Sequence, residues 1–239
     1  MPFHALPRWP QPSIAVAGRA ERFAVRRIFC IGRNYADHVR EMGGDPARGS
    51  PIFFMKPADA LVGGAIPYPA GGDLHYEVEL VAALGEDLQP WGYAVGLDLT
   101  RRDRQSAAKK NGTPWEVAKA FEGSAAVGPL LPAAQWNGPA SQAIRLSVNG
   151  KVRQDATLDQ MIWSLPEILG ELSKAFRPKP GDIVFTGTPA GVGPLAPSDR
   201  IEASVDGLPG LSATVDEWLD RRSPPSPRKR GEGRGEELS

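Results

Sequence analysis

The chain has almost no cysteine and very little histidine. Cys30 is the only thiol among 239 residues, and His4, His38 and His75 are the only imidazoles. One cysteine forms no internal disulfide. Cys30 lies in the apolar run Ile28-Phe29-Cys30-Ile31, which reads as a buried, inert thiol in a reducing compartment. Net charge is missing too, since 28 Lys and Arg balance 28 Asp and Glu. That balance removes the electrostatic footprint of a nucleic-acid or anionic-membrane binder. No apolar run reaches membrane-span length, and Met1 to Ser13 contain no apolar core of signal-peptide length, so a cytoplasmic protein is expected. Glycine and proline are plentiful instead, at 27 and 24, and clearly apolar strand-like runs separate them. The combination points to a loop-rich, β-rich α+β domain and not to disorder.

The length suits one sizeable domain. Residues 1–20 read as an N-terminal arm, 21–218 as one continuous domain, and 219–239 as a tail. From Arg221 to Glu237 the tail has no apolar residue to bury, which predicts disorder. Asn149-Gly150 between short alternating runs predicts a hairpin over 146–154. Three helices are expected. Asn34 would cap residues 35–42, with Gly43-Gly44 as the stop. Thr100 would cap a helix through Lys110, with Asp103 in its first turn and Asn111-Gly112 at its end. Ser164 and Glu167 form a capping box for 165–176.

Chemistry enters with Glu77 and Glu79, one residue apart in the apolar run from Leu74 to Leu84. Strand alternation puts Tyr76, Val78 and Leu80 on one face and both carboxylates on the other, roughly 6–7 Å apart along the strand. Like charges that close on a half-buried surface repel unless a cation or a proton lies between them. Asp98 fits the same picture, facing away from Val95, Leu97 and Leu99 in a second alternating run, Tyr93 to Thr100. No Cys or His cluster accompanies these acids, and an all-oxygen set selects a hard cation, Mg²⁺, Mn²⁺ or Ca²⁺, over zinc. The plainer alternative is an edge strand with both glutamates in solvent.

A second constellation is His38 with Glu41, at i and i+3 on one helix face, a pairing that orients an imidazole as general base. Gly43-Gly44 supplies a hinge behind it. His75 is a rival ligand or base beside the acids, and His4 has no assignment. Lys119 is a lone charge in an apolar segment, able to stabilise an oxyanion, to pair with one of the acids, or to snorkel at the surface. Gly181 to Phe185 reads as a strand entering Thr186-Gly187-Thr188-Pro189, where glycines let backbone amides converge on an anion. The Gly-Lys-Ser/Thr ending of a nucleotide-binding P-loop is absent there.

Taken together, these segments resemble the fumarylacetoacetate hydrolase family. The matching pieces are Gly32-Arg33-Asn34-Tyr35 with His38 and Glu41, Phe54-Met55-Lys56-Pro57, His75-Tyr76-Glu77-Val78-Glu79, Gly96-Leu97-Asp98-Leu99-Thr100 with Arg102-Asp103, Lys119, Arg153-Gln154, and Thr186-Gly187-Thr188-Pro189. The resemblance implies a mixed β-sandwich roll with peripheral helices, assembled as a homodimer. It implies Mg²⁺ or Mn²⁺ on Glu77, Glu79 and Asp98, with Ca²⁺ as a crystallographic substitute, and a mobile lid carrying His38 and Glu41. Within the family, residues 28–42 and 96–103 are most similar to bacterial fumarylpyruvate hydrolases of gentisate breakdown. The implied reaction is hydrolysis of the carbon–carbon bond of an acylpyruvate to fumarate and pyruvate. His38 would activate water, Lys119 would stabilise the oxyanion, and Gly187 and Thr188 would grip the pyruvyl carboxylate. Arg33, Arg102 and Gln105 are the candidates for the rest of the substrate. An oxaloacetate decarboxylase or 2-oxo diacid tautomerase would use the same metal site, and an inactive 2-oxo-acid-binding relative is the alternative outside enzymes.

Overall fold

The computed structural model describes residues 10–217. The 219–239 tail and residues 1–9 of the arm lie outside the described residues. The later part of the arm is a strand: Ser13–Ala15 pairs antiparallel with Arg22–Ala24. Ile14 and Val16 are buried, so this hairpin belongs to the body of the domain.

Strand formation follows the alternation of the sequence. An eight-stranded mixed sheet runs in the order Ile52–Lys56, Arg27–Gly32, Asp182–Phe185, Val78–Leu84, Pro90–Asp98, Ala125–Val127, Leu61–Val62, with Leu131–Pro132 also paired to Pro90–Asp98. A five-stranded sheet orders Lys151–Thr157, Ala143–Val148, Arg200–Val205, Leu211–Asp216 and Ala65–Pro67. Their facing residues, among them Val78, Leu80, Val95 and Leu97 against Ile144, Leu146, Ile201 and Val215, form one buried apolar cluster. Burying each such side chain stabilises the fold by about 1.5–3 kcal/mol. The opposite face of the large sheet carries Ile28, Cys30, Val81 and Phe185 in a second cluster. Cys30 is buried there, and burial raises its thiol pKa well above the usual range, so it is inert as expected.

The predicted hairpin forms, with Asn149 and Gly150 both at positive φ between Ala143–Val148 and Lys151–Thr157. The capping box at Ser164 and Glu167 also forms, on a helix Leu165–Ala175 that packs Ile168 and Leu172 onto Phe29, Ile31 and Val184. Two helix starts differ from expectation. The helix after the acidic strand is Arg102–Asn111, because Thr100–Arg101 first pairs with Leu74–Tyr76 as a strand. The short helix is Ala36–Glu41 with Tyr35 at its cap. Asn34 instead donates to the carbonyls of Trp163 and Thr186 and accepts from the Trp163 amide at 2.7 Å, so long-range bonds win over local capping. Among the described residues no helix is long and apolar enough to cross a membrane.

Candidate active site

The run from Leu74 to Leu84 is broken at Glu77. Leu74–Tyr76 belongs to a three-stranded sheet with Thr100–Arg101 and Gly193–Pro194, while Val78–Leu84 lies in the large sheet. Alternation survives the break. Tyr76, Val78 and Leu80 enter the core cluster, and Glu77 and Glu79 face the other way, 4 % and 1 % exposed. The solvent-edge alternative is therefore wrong. Register brings in the third acid: the Asp98 amide donates to the Glu77 carbonyl at 2.9 Å, and Glu79 lies opposite Gly96. Glu77, Glu79 and Asp98 each offer an oxygen within 4.8 Å of the others.

Three cations surround them. Lys119, at the end of the helix Glu116–Lys119, is buried and donates to Glu77 Oε2 at 2.8 Å, Asp98 Oδ2 at 2.7 Å and Thr100 Oγ1 at 2.6 Å. All three of its N–H groups are thus committed, so in this arrangement it balances the acids. Arg102 donates to Glu77 Oε1 at 2.5 Å and to Gln105 Oε1 at 2.6 Å. Lys56 stands 2.8 Å from Asp98 Oδ1 and also donates to the Leu99 and Lys119 carbonyls. Sequence reasoning gave Lys56 no role. The signal was a charge closing the apolar strand Ile52–Lys56.

The acids titrate apart. Burial pushes Glu77 upward, but Lys119 and Arg102 outweigh it and, with His38 nearby, hold its carboxyl well below the usual range. Glu79 goes the other way. Burial, then repulsion by Asp98 and Glu77, raise it well above that range, against weaker pulls from Lys119 and the Gly187 amide. Burial lowers Lys119, yet Asp98 and Glu77 more than compensate and raise it. Glu79 is the group that lacks a cation. It is buried between two other carboxylates, makes no ion pair among the described residues, and accepts one hydrogen bond, from the Gly187 amide at 2.7 Å. A hard divalent ion suits this all-oxygen set.

The short helix forms the opposite wall of the same cavity, whose volume is about 130 Å³. His38 lines it, 8 % exposed, with Nδ1 3.1 Å from Glu41 Oε2, and the Gly191 amide donates to Glu41 Oε1 at 3.0 Å. Thr188 also lines it, held by Gln154 Nε2 at 2.8 Å, while Gln154 Oε1 accepts from the Val78 amide. Gln154 was part of a recognised segment without an assigned role. Arg33 lines the cavity from an exposed, left-handed position at φ 60°. His75 is not with the acids. Its Nε2 lies 3.0 Å from Asp73 Oδ2, outside the acidic triad.

A family model described as fumarylacetoacetate (FAA) hydrolase C-terminal matches residues 27–216. Oxaloacetate tautomerase YcgM of Escherichia coli (strain K12) is 40% identical over 199 residues, covering 77% of this chain and 90% of that protein. The mitochondrial oxaloacetate tautomerase FAHD1 of Homo sapiens is 39% identical over 204 residues, covering 80% of this chain and 92% of that one. Among solved structures, fumarylpyruvate hydrolase from Pseudomonas aeruginosa in complex with Mn²⁺ and pyruvate superposes with a TM-score of 0.87. It is 46% identical and covers 90% of this chain and 100% of its own.

Proposed function

The chain belongs to the fumarylacetoacetate hydrolase family, and within it we propose that this protein hydrolyses the carbon–carbon bond of an acylpyruvate, with fumarylpyruvate as its substrate. The observation that carries the reading is one cavity with the acidic triad on one wall and His38, oriented by Glu41 behind it, on the other.

Glu77, Glu79 and Asp98 would hold Mg²⁺ or Mn²⁺, which when bound supplies Lewis acidity at the pyruvyl keto oxygen and positive charge for an enolate. The remaining steps belong to side chains. Glu41 accepts from His38 Nδ1, which leaves Nε2 as the basic nitrogen. His38 takes a proton from water, and the hydroxyl adds to the distal carbonyl carbon. The bond from that carbon to C3 of the pyruvyl unit breaks, its electron pair leaves as pyruvate enolate, and the imidazolium returns the proton to C3. Thr188, fixed by Gln154, orients the pyruvyl carboxylate, whereas the Gly187 amide expected to share that task is committed to Glu79. Lys119 acts here through its charge, because its protons are committed to Glu77, Asp98 and Thr100.

A second reading, oxaloacetate keto–enol tautomerisation, is favoured by relatives such as the Escherichia coli and human tautomerases. The two differ in whether a carbon–carbon bond breaks. Purified protein with Mn²⁺ is offered fumarylpyruvate, acetylpyruvate and oxaloacetate while pyruvate, fumarate and the enol absorbance are followed separately. Release of fumarate and pyruvate in equal amounts supports hydrolysis. Enol–keto exchange of oxaloacetate with no cleavage of either acylpyruvate refutes it. Glu79→Ala abolishes metal-dependent turnover under either reading.

A further inference from the structure

We propose that Lys109, with Arg33, forms a subsite for a second carboxylate at the outer end of the cavity, so that this enzyme selects dianionic acylpyruvates over monoanionic ones. The inference rests on the acylpyruvate reading above and adds the chemistry of the substrate's far end.

The argument starts from charge. Around the three acids stand three cations, Lys56, Lys119 and Arg102, equal to them in number, all of them on Glu77 and Asp98 and none on Glu79. Arg102, a sequence candidate for the distal carboxylate, is paired with Glu77 and belongs to this inner balance. Two further cations, Arg33 and Lys109, line the same cavity and make no ion pair or side-chain hydrogen bond among the described residues. A bound divalent ion adds two positive charges. A monoanion leaves this excess of positive charge largely unmet, and a dianion answers more of it.

Geometry gives the second argument. Arg102, Gln105 and Lys109 all line the cavity from the helix Arg102–Asn111 at i, i+3 and i+7, one face of that helix. Lys109 therefore stands about 10 Å further along the helix axis than Arg102. The two carboxylates of an extended seven-carbon acylpyruvate are six bonds apart, about 7 Å at the usual rise of an extended chain. A four-carbon diacid such as oxaloacetate spans about half of that. Lys109 is held in place without being neutralised, since its ammonium lies 5.4 Å from the Trp115 ring. Trp115 lines the same cavity beside Gly32, next to Arg33. Arg33 itself is a non-glycine residue in the left-handed region, a strain that structures retain at ligand clamps.

The test compares wild type with Lys109→Met and Lys109→Arg, all Mn²⁺-loaded, on fumarylpyruvate and acetylpyruvate, with pyruvate affinity measured by calorimetry. The readout is the ratio of kcat/KM for the dianion to that for the monoanion. Lys109→Met is expected to lower this ratio roughly tenfold or more, the worth of one charge-assisted hydrogen bond, mainly through KM. Lys109→Arg should restore most of it, because the positive charge is kept. An unchanged ratio, or an equal loss on both substrates, overturns the subsite and leaves the hydrolase reading intact. A wild type that binds pyruvate but cleaves neither acylpyruvate overturns the hydrolase reading and this inference with it.

Discussion

Replacing Lys119 by methionine tests whether the acids are held by charge balance. Lys119 is 2 % exposed and donates to Glu77 at 2.8 Å, Asp98 at 2.7 Å and Thr100 at 2.6 Å. Methionine keeps the approximate length and removes the charge, leaving three buried carboxylates against Lys56 and Arg102. Stripping one partner from a buried ion pair costs about 3–5 kcal/mol, a large share of a total stability of about 5–15 kcal/mol. At about 2–4 °C per kcal/mol for a domain of this size, the metal-free Tm should fall by about 6–20 °C. A divalent ion then restores part of the loss: at a hundredfold excess over its Kd it contributes about 2.7 kcal/mol. The assay is thermal unfolding followed by circular dichroism, in EDTA and in Mn²⁺. Adding Glu77→Gln to the variant should recover some stability, since one of the stranded charges is then gone. A Lys119→Met protein that melts in EDTA within about 2 °C of wild type would refute the charge-balance argument.

Three further outcomes are expected. His38→Ala should lower turnover roughly 10²–10⁴-fold while Mn²⁺ affinity by calorimetry stays close to wild type; full activity removes the imidazole from the mechanism. Gly187→Ala places a Cβ 2.5 Å from Asn34 Cβ at φ 94° and should cost about 2–4 kcal/mol in chemical unfolding, whereas a near-neutral result contradicts the close approach. Lys109 is an exposed residue whose ammonium is partly desolvated; that partial burial, then Arg102 and Arg33, lower its pKa to about 8, with Glu77 opposing and Lys119 adding to the fall. Its ammonium is present below that pH and lost above it, so KM for fumarylpyruvate should rise as pH passes about 8. The rise should disappear in Lys109→Arg, and a rise that persists there assigns it to another group.

Much of the site was legible because its acids obey a period of two. Alternation alone turned Glu77, Glu79 and Asp98 away from the core, and the structure buries all three. Local chemistry was equally readable in the Asn149-Gly150 turn and in the capping box at Ser164. What stayed hidden depends on partners far along the chain. Asn34 looks like a helix cap until Trp163 and Thr186 are brought beside it. Lys56 looks like the polar end of a strand until folding sets Asp98 next to it. Arg102 and Lys109 are both cations on one helix, and only the tertiary contact with Glu77 separates the paired one from the free one. The break between Tyr76 and Val78 was unreadable because both halves keep the same alternation while joining different sheets.

The two oxygens of Glu41 have different obligations. One orients the His38 imidazole and the other ties the short helix to the Gly191 amide in the loop after Thr188. A helix that swings outward gives up the tether, and with it the restraint on the carboxylate that aims the ring. Under the proposed reaction the imidazole is thus aimed only while the Gly191 contact holds, which couples the general base to the position of the short helix.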